Sequence, residues 1–181
     1  MSETRDKLMD AAESSIRLRG YHAVSFRELA DELGIKSASV HYHFRTKEDL
    51  GVALVQRYSE MFFEAVEAKA ARAKVPDGRV RAFAQVYRDA LVGSERICLC
   101  GMLGAESCGL PPVVSTAVAE FFQSNIAWLI DALPADLPRA QRRNRARHIV
   151  AALQGGMTLA SSLNDHSVFD GIVQDLLPAN T

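Results

Sequence analysis

Apolar residues recur every three to four positions along almost the whole chain, and no stretch alternates as a β-hairpin would. This pattern predicts an all-α fold, in which each helix buries one apolar stripe against its neighbours. Leu8, Ala12 and Ile16 mark the first helix, and Gly20 follows as its stop. Ser25 and Glu28 have the spacing of a capping box, with Val24 and Leu29 placed as a hydrophobic staple. That second helix is expected to turn Phe26, Leu29, Ala30 and Leu33 inward and to end at Gly34. Ser37 reads as the N-cap of a third helix whose apolar side, Val40 and Phe44, is only about two turns long. Thr46 and Asp49 repeat the capping-box spacing and open a long fourth helix through Leu50, Leu54, Tyr58, Phe62 and Ala65.

Pro76-Asp77-Gly78 punctuates the chain after that helix. A fifth helix follows with Val80, Phe83, Ala84, Tyr87 and Leu91, then a short cysteine-bearing segment from about Ile97 to Glu106. Gly109-Leu110-Pro111-Pro112 breaks the pattern and starts a helix carrying Val114, Val118, Phe121, Phe122, Asn125, Trp128 and Leu129. Pro138 begins another, with Ile149, Val150, Leu153, Met157 and Ala160. A last helix after Asn164-Asp165 holds Val168, Phe169, Ile172, Val173, Leu176 and Leu177. The sum is about nine helices, with residues 1–50 as one domain and 51–181 as a second helical domain.

With 48% apolar and 24% charged residues, the chain has the balance of a globular protein. Lys and Arg number 21 against 22 Asp and Glu, so a coat of non-specific nucleic acid is not expected. Any nucleic-acid contact must come from a local patch. The charged N-terminus lacks the apolar core of a signal peptide, and no apolar run approaches about 20 residues. Cys98, Cys100 and Cys108 are an odd number within eleven residues, which is not a disulfide framework. A reducing, cytoplasmic setting without membrane partners is the expectation.

Three short helices with a tight Gly34-Ile35-Lys36 turn before the third describe a helix-turn-helix. The third helix buries little and offers Ser37, Ser39, His41, Tyr42 and His43, a face suited to the donors and acceptors of the major groove. Arg27, Lys36, Arg45 and Lys47 flank it and are placed to grip phosphates, although residues 1–50 hold eight basic and nine acidic side chains overall. A short polar helix that merely links and solvates its neighbours is the competing reading.

Three stretches carry a resemblance. They are Gly20 to Ala30 (GYHAVSFRELA), Leu33 to Phe44 (LGIKSASVHYHF) and Thr46 to Leu50 (TKEDL). Together they resemble the N-terminal domain of TetR-family transcriptional repressors, continuously over about residues 5–50. The resemblance implies that Ser25 and Arg27 meet DNA at the start of the second helix. It implies that Ser37, Ala38 and Ser39 face bases or phosphates, and that Lys47 clamps a phosphate. His43 stands where the family commonly has His or Tyr, and Tyr42 at a variable position. His41 departs from the more usual Tyr, and Lys36 replaces a small polar residue and adds a backbone contact. The family's second domain diverges widely, so the likeness there is one of helix count and layout.

The resemblance also implies an effector site and a homodimer. Tyr58, Phe62, Tyr87, Met102, Phe122 and Trp128, with Glu106 and Asn125 as polar groups, are the candidates for a small, largely apolar effector. Aromatic side chains at helical spacing equally serve as plain core. The three cysteines are read first as small buried hydrophobes. A redox or electrophile-sensing role needs a lowered thiol pKa, with Arg96 the nearest cation to Cys98. A metal site lacks ligands beyond Cys-x-Cys. Ala152, Gly155 and Gly156 on the eighth helix, with Phe169, Val173 and Leu176 on the ninth, are candidates for the dimer face, intrachain core being their competing use. The run Arg139, Arg142, Arg143, Arg145 and Arg147 reads as the solvated opening of that eighth helix.

The chain therefore reads as a homodimeric repressor that binds a near-palindromic operator and is released by a small effector. No enzyme, cofactor or metal fingerprint is present. A thiol-based sensor or oxidoreductase, a metal-binding protein, and an activator are the rival readings.

Overall fold

A computed structural model describes residues 3–74, 76–94 and 97–177. Arg96, the cation considered for Cys98, lies outside them. The described residues form nine α-helices and no strands. In order these are α1 (Glu3–Arg19), α2 (Phe26–Leu33), α3 (Ser37–His43), α4 (Lys47–Ala70), α5 (Pro76–Ser94), α6 (Leu99–Ala105), α7 (Pro112–Ala132), α8 (Arg139–Leu163) and α9 (Ser167–Leu176). The all-α fold and the helix order are those the periodicity predicts.

The helix ends follow local chemistry. Gly20 closes α1 at φ 86 and Gly34 closes α2 at φ 63, left-handed conformations in which a Cβ is strained. Both arms of the Ser25–Glu28 box form: Glu28 N donates to Ser25 Oγ at 3.2 Å and Ser25 N to Glu28 Oε2 at 3.1 Å. The Thr46–Asp49 box forms likewise, at 3.1 Å in each direction. One expected cap differs. Lys36, in extended conformation, takes the N-cap position of α3, and Ser37 is already helical with no side-chain cap bond. Phe26 and Leu33 also differ, each half-buried rather than inside, because α2 is short and only Leu29 and Ala30 reach the core.

Two compact units form, and they do not follow chain order. The first contains residues 1–59 together with 99–119, so α6 and the start of α7 join the three N-terminal helices. Its core gathers Leu8, Ala12 and Ile16 of α1, Leu29 of α2, Val40 of α3 and Leu50 and Leu54 of α4, all at most 2% exposed. Arg57 of α4 ties this unit to α1 through Asp10 at 2.7 Å and Glu13 at 3.0 Å.

The second unit contains residues 60–98 and 120–181. Its centre is an aromatic cluster: Phe62 lies 5.5 Å from Phe83, 5.3 Å from Tyr87 and 5.4 Å from Phe121, all edge-on, the arrangement that ring quadrupoles favour. In this unit α8 packs against α9 and α5. By length and composition, α7 is apolar enough to cross a membrane, contrary to the expectation that no run comes near this. Its stripe of Val114, Val118, Phe121, Asn125 and Leu129 is buried within the chain.

Candidate nucleic-acid interface

The turn between α2 and α3 is built by the backbone. Gly34 N donates to Asp31 O at 3.3 Å and Ile35 N to Ala30 O at 3.0 Å, so the last carbonyls of α2 are satisfied and the chain reverses sharply. From this turn α3 leaves with two unlike sides. Val40 is fully buried and Phe44, its C-cap, is 3% exposed, with the Arg5 guanidinium 5.1 Å over the Phe44 ring. On the other side Ser37, Ala38, His41 and Tyr42 are exposed, Tyr42 at 85%, while Ser39 and His43 are half-buried. Tyr42 meets the edge of the His43 ring at 5.1 Å and, at its exposure, stands off its helix instead of packing along it. His41 meets Phe26 edge-on at 5.0 Å, which orients its imidazole from α2.

Basic groups border this face. Arg27 and Lys36 are exposed, with no ion-pair partner among the described residues. Ser25 is exposed too, but its hydroxyl is engaged by the cap, donating to Glu28 Oε2 at 3.1 Å. Lys47 sits at the start of α4 with its ammonium 4.5 Å over the Tyr21 ring and within 3.4 Å of the His22 carbonyl oxygen. Partial burial lowers its pKa, with Glu48, Glu106 and Glu28 pulling the other way. The ammonium is thus held in place over Tyr21. Arg45 is exposed as well.

Behind Lys47 lies a contact that the sequence does not announce. The Tyr21 N–H donates to Glu106 Oε2 at 2.8 Å, and the His22 ring nitrogen lies 3.1 Å from the Gly109 carbonyl oxygen. Glu106, expected among effector ligands, is therefore committed to the segment between α1 and α2. The two residues are 85 apart in sequence, and no local spacing signals their pairing.

The remaining effector candidates divide between the units. Tyr58 and Met102 belong with Glu106 to the first unit and are half-buried. Phe62, Tyr87, Phe122, Asn125 and Trp128 belong to the second. There Asn125, fully buried, accepts from the Tyr87 hydroxyl at 3.0 Å and donates to the Phe121 carbonyl at 2.7 Å. Gln154 of α8 donates to the Tyr87 oxygen at 3.2 Å and lies 3.5 Å from Cys98 Sγ. Gln154 is a polar residue the sequence reading passes over, and its signal is a lone amide directly after Leu153 on the apolar stripe of α8. Trp128 stacks on Phe83 at 5.4 Å and donates to Glu67 at 2.5 Å. Phe122 is half-buried beside Phe121.

Cys98 and Cys100 are buried and Cys108 is exposed. Because α6 ends at Ala105, Cys100 and Cys108 do not share a helix. Among the described residues no group of three or more His, Cys, Asp or Glu is disposed to hold a metal ion.

On α8, a Cβ at Gly156 would meet Phe169 at 3.2 Å and Ile172 at 3.3 Å, and Phe169 is fully buried. These two residues pack α9 onto α8 within the chain, the competing use weighed for them. Gly155 faces open space, and Ala152, Val173 and Leu176 are half-buried. Exposed at successive four-residue steps on α8 are Ala151, Gly155, Leu159 at 51% and Leu163 at 64%. Leu159 and Leu163 are absent from the sequence-derived dimer face, although their spacing was there to be read.

Among the described residues, the nine helices include a helix-turn-helix whose third helix presents a bare polar face, the form of a DNA-reading head. Residues 8–54 match the model for bacterial regulatory proteins of the tetR family. The fold is similar to that of a TetR transcriptional regulator from Legionella pneumophila, with a TM-score of 0.90 and 26% identity over 97% of this chain and 96% of that one. Transcriptional regulator AcuR of Cereibacter sphaeroides is 28% identical over 134 residues, 71% of this chain and 61% of AcuR. HTH-type transcriptional activator FasR of Mycolicibacterium smegmatis is 30% identical over 87 residues, 48% of this chain and 40% of FasR. The matched part is thus less than two thirds of either curated relative. Residues 8–54 thus carry the likeness to bacterial regulatory proteins of the tetR family, and the fold of the described residues is similar to that of TetR transcriptional regulators.

Proposed function

We propose that the chain is a cytoplasmic, homodimeric repressor that binds a near-palindromic operator and leaves it when a small, largely apolar effector binds. The division of labour follows the chain, with residues 1–50 reading DNA and residues 51–181 holding the effector and the partner subunit. The carrying observation is the two-sided α3: Val40 is buried while Tyr42, two residues on, is 85% exposed. A helix anchored on one side and bare on the other enters a major groove without repacking. Ser37, Ala38, Ser39, His41, Tyr42 and His43 meet base edges and nearby phosphates, while Arg27, Lys36 and Lys47 hold the backbone. Ser25 contributes through its cap, which sets the start of α2.

Two copies place their α3 helices in successive major grooves about 34–36 Å apart. The exposed stripe of α8, with Val173 and Leu176 of α9, supplies the partner-facing surface. The effector reading rests on the aromatic centre around Phe62 and Tyr87, where Asn125 and Gln154 are the polar groups able to orient a ligand. Release requires that the effector bind the two conformations unequally. FasR is an activator, and activation uses the same DNA-reading head with the opposite outcome at the promoter.

Selection of duplex DNA from a random pool at two salt concentrations tests this reading. Enrichment of one inverted repeat is the expected result. Binding without sequence preference, vanishing as salt rises, would remove α3 from the role of reader.

A further inference from the structure

The opening turns of α8 carry Arg139, Arg142, Arg143, Arg145 and Arg147, in a chain whose net charge is −1. No Asp or Glu stands between Asp136 and Asp165, so α8 has no acidic residue of its own. Arg142 has a structural task. It is half-buried, and its Nη1 donates to the Ile130 carbonyl oxygen at 3.0 Å, in the last turn of α7. A cation is favourable there, at the negative end of a helix dipole. The other four are exposed and have no hydrogen-bond or ion-pair partner among the described residues.

Arg139, Arg143 and Arg147 stand four residues apart and form one row, about 6 Å per step and about 12 Å long. Asn144 and His148 follow Arg143 and Arg147 by one residue, so exposed hydrogen-bonding groups run beside the row. Arg145 falls on another flank of the helix. Three effects disfavour this row in the chain by itself. Like charges repel at four-residue spacing. Cations in the first turns of a helix oppose its dipole. Pro138, as N-cap, makes no side-chain bond to the first N–H groups of α8. An anion relieves all three, and no described carboxylate supplies one.

The surroundings of the row select the anion. Between Arg139 and His148 the only exposed apolar side chain is Ala140. A membrane surface needs bulky apolar groups to insert beside the charges. An acidic protein needs an apolar centre to its interface. A nucleic-acid duplex needs neither, because released counterions supply the affinity. Each strand of DNA offers a phosphate about every 3.4 Å of axis, so a row about 12 Å long meets three or four of them. Guanidiniums suit phosphate oxygens, which they hold by paired bonds.

We propose that the Arg139–Arg143–Arg147 row of α8 is a second DNA-binding surface, which holds the phosphates of a duplex without reading its sequence. The choice of DNA as the polyanion rests on the reading of α3 above. The row's own affinity is measured with the phosphate contacts of that head removed.

Fluorescence anisotropy of a labelled duplex of random sequence, about 20 base pairs long, tests the row across about 50–200 mM salt. The reference is the whole chain carrying Arg27→Ala, Lys36→Ala and Lys47→Ala. It should still bind saturably, with a slope of log K against log salt of about −3. Adding Arg139→Gln, Arg143→Gln and Arg147→Gln should weaken binding at least about tenfold and bring the slope near zero. Adding Arg139→Lys, Arg143→Lys and Arg147→Lys instead should keep both affinity and slope, which separates charge from folding. A reference that binds as tightly as wild type would leave the row standing and remove α3 from the interface. The proposal is overturned if the reference shows no saturable binding up to about 1 mM protein at the lowest salt. It is overturned equally if the glutamine variant binds as the reference does, or if polyglutamate or phosphatidylserine vesicles bind the reference as tightly as the duplex. A glutamine variant that sediments at a lower mass would give the row to subunit contact and overturn it too.

Discussion

The Glu106 carboxylate accepts the backbone N–H of Tyr21 at 2.8 Å, directly behind the segment that leads into α2. Gly20 makes this approach feasible, since a Cβ there would collide with the Glu106 carboxylate. Gly20 also has φ 86, so Gly20→Ala adds backbone strain to the collision. The variant is expected to lose at least about 2 kcal/mol in urea unfolding. Glu106→Ala should cost about 1–3 kcal/mol by leaving the N–H without its acceptor, and Glu106→Gln much less because its amide oxygen still accepts. Equal stability of Glu106→Ala and wild type would show that the bond holds nothing.

Tyr21 itself gives a prediction at high pH. Its hydroxyl is buried with no hydrogen-bond partner, and burial, aided by the Glu48 charge, pushes its pKa up to about 12. Its ordinary value is about 10. A raised pKa means the neutral phenol is favoured in the fold, so this contribution is intact below pH 10 and is lost as pH rises from there through about 12. Tyr21→Phe should therefore soften the alkaline loss of stability seen by thermal melting between those values. At pH 7 it should be neutral or slightly stabilising, since it removes an unpaired buried polar atom.

The Tyr87–Asn125–Gln154 chain of bonds predicts graded losses. Asn125 is fully buried and joins Tyr87 to the α7 backbone, so Asn125→Ala is expected to cost about 2–3 kcal/mol. Tyr87→Phe should cost about 1–2 kcal/mol, leaving Asn125 and Gln154 without a shared partner. Chemical denaturation of the two variants gives the order, and the reverse order would place the anchor at Tyr87.

At the DNA face, Arg27→Ala and Lys47→Ala should each weaken binding to every duplex alike and lower the slope of log K against log salt by about one. Tyr42→Ala should instead change which sequences are preferred, because the side chain is 85% exposed and meets no fixed partner surface. Filter binding across a salt series separates the two effects. A Lys47→Ala protein with an unchanged slope would confine that ammonium to its place over Tyr21.

For the partner surface, Leu159→Lys combined with Leu163→Lys should shift sedimentation from dimer toward monomer, as lysines at four-residue spacing oppose close packing of like helices. Leu18→Lys, at a site 65% exposed in the other unit, is the control and should leave the mass unchanged. If neither protein changes mass, the outer stripe of α8 is not where two copies meet.

Much of the DNA-binding head was legible because its signals are local. Ser25 with Glu28, Thr46 with Asp49, and Gly20 and Gly34 each report a backbone need met within a few residues. The error at Ser37 has the same origin: two adjacent residues compete for one cap, and an extended Lys36 takes it without any side-chain bond. Phe26 and Leu33 show the limit of periodicity, which marks a face but not how deeply an eight-residue helix sinks.

The second half was legible as helices and much less so as sites. Gly156 and Phe169 looked like partner-facing residues, yet they close the chain's own α8–α9 contact, and Leu159 and Leu163 are the exposed apolar pair. Composition and spacing alone determined the all-α class, the helix order and the two-sided third helix, because hydrogen bonding and helical period act over a few residues. Only the tertiary structure decided that Glu106 serves Tyr21 and that Gln154 joins Tyr87 and Asn125. Those pairings depend on which distant helices pack together, and a helix's own sequence specifies that it must be covered but not by what.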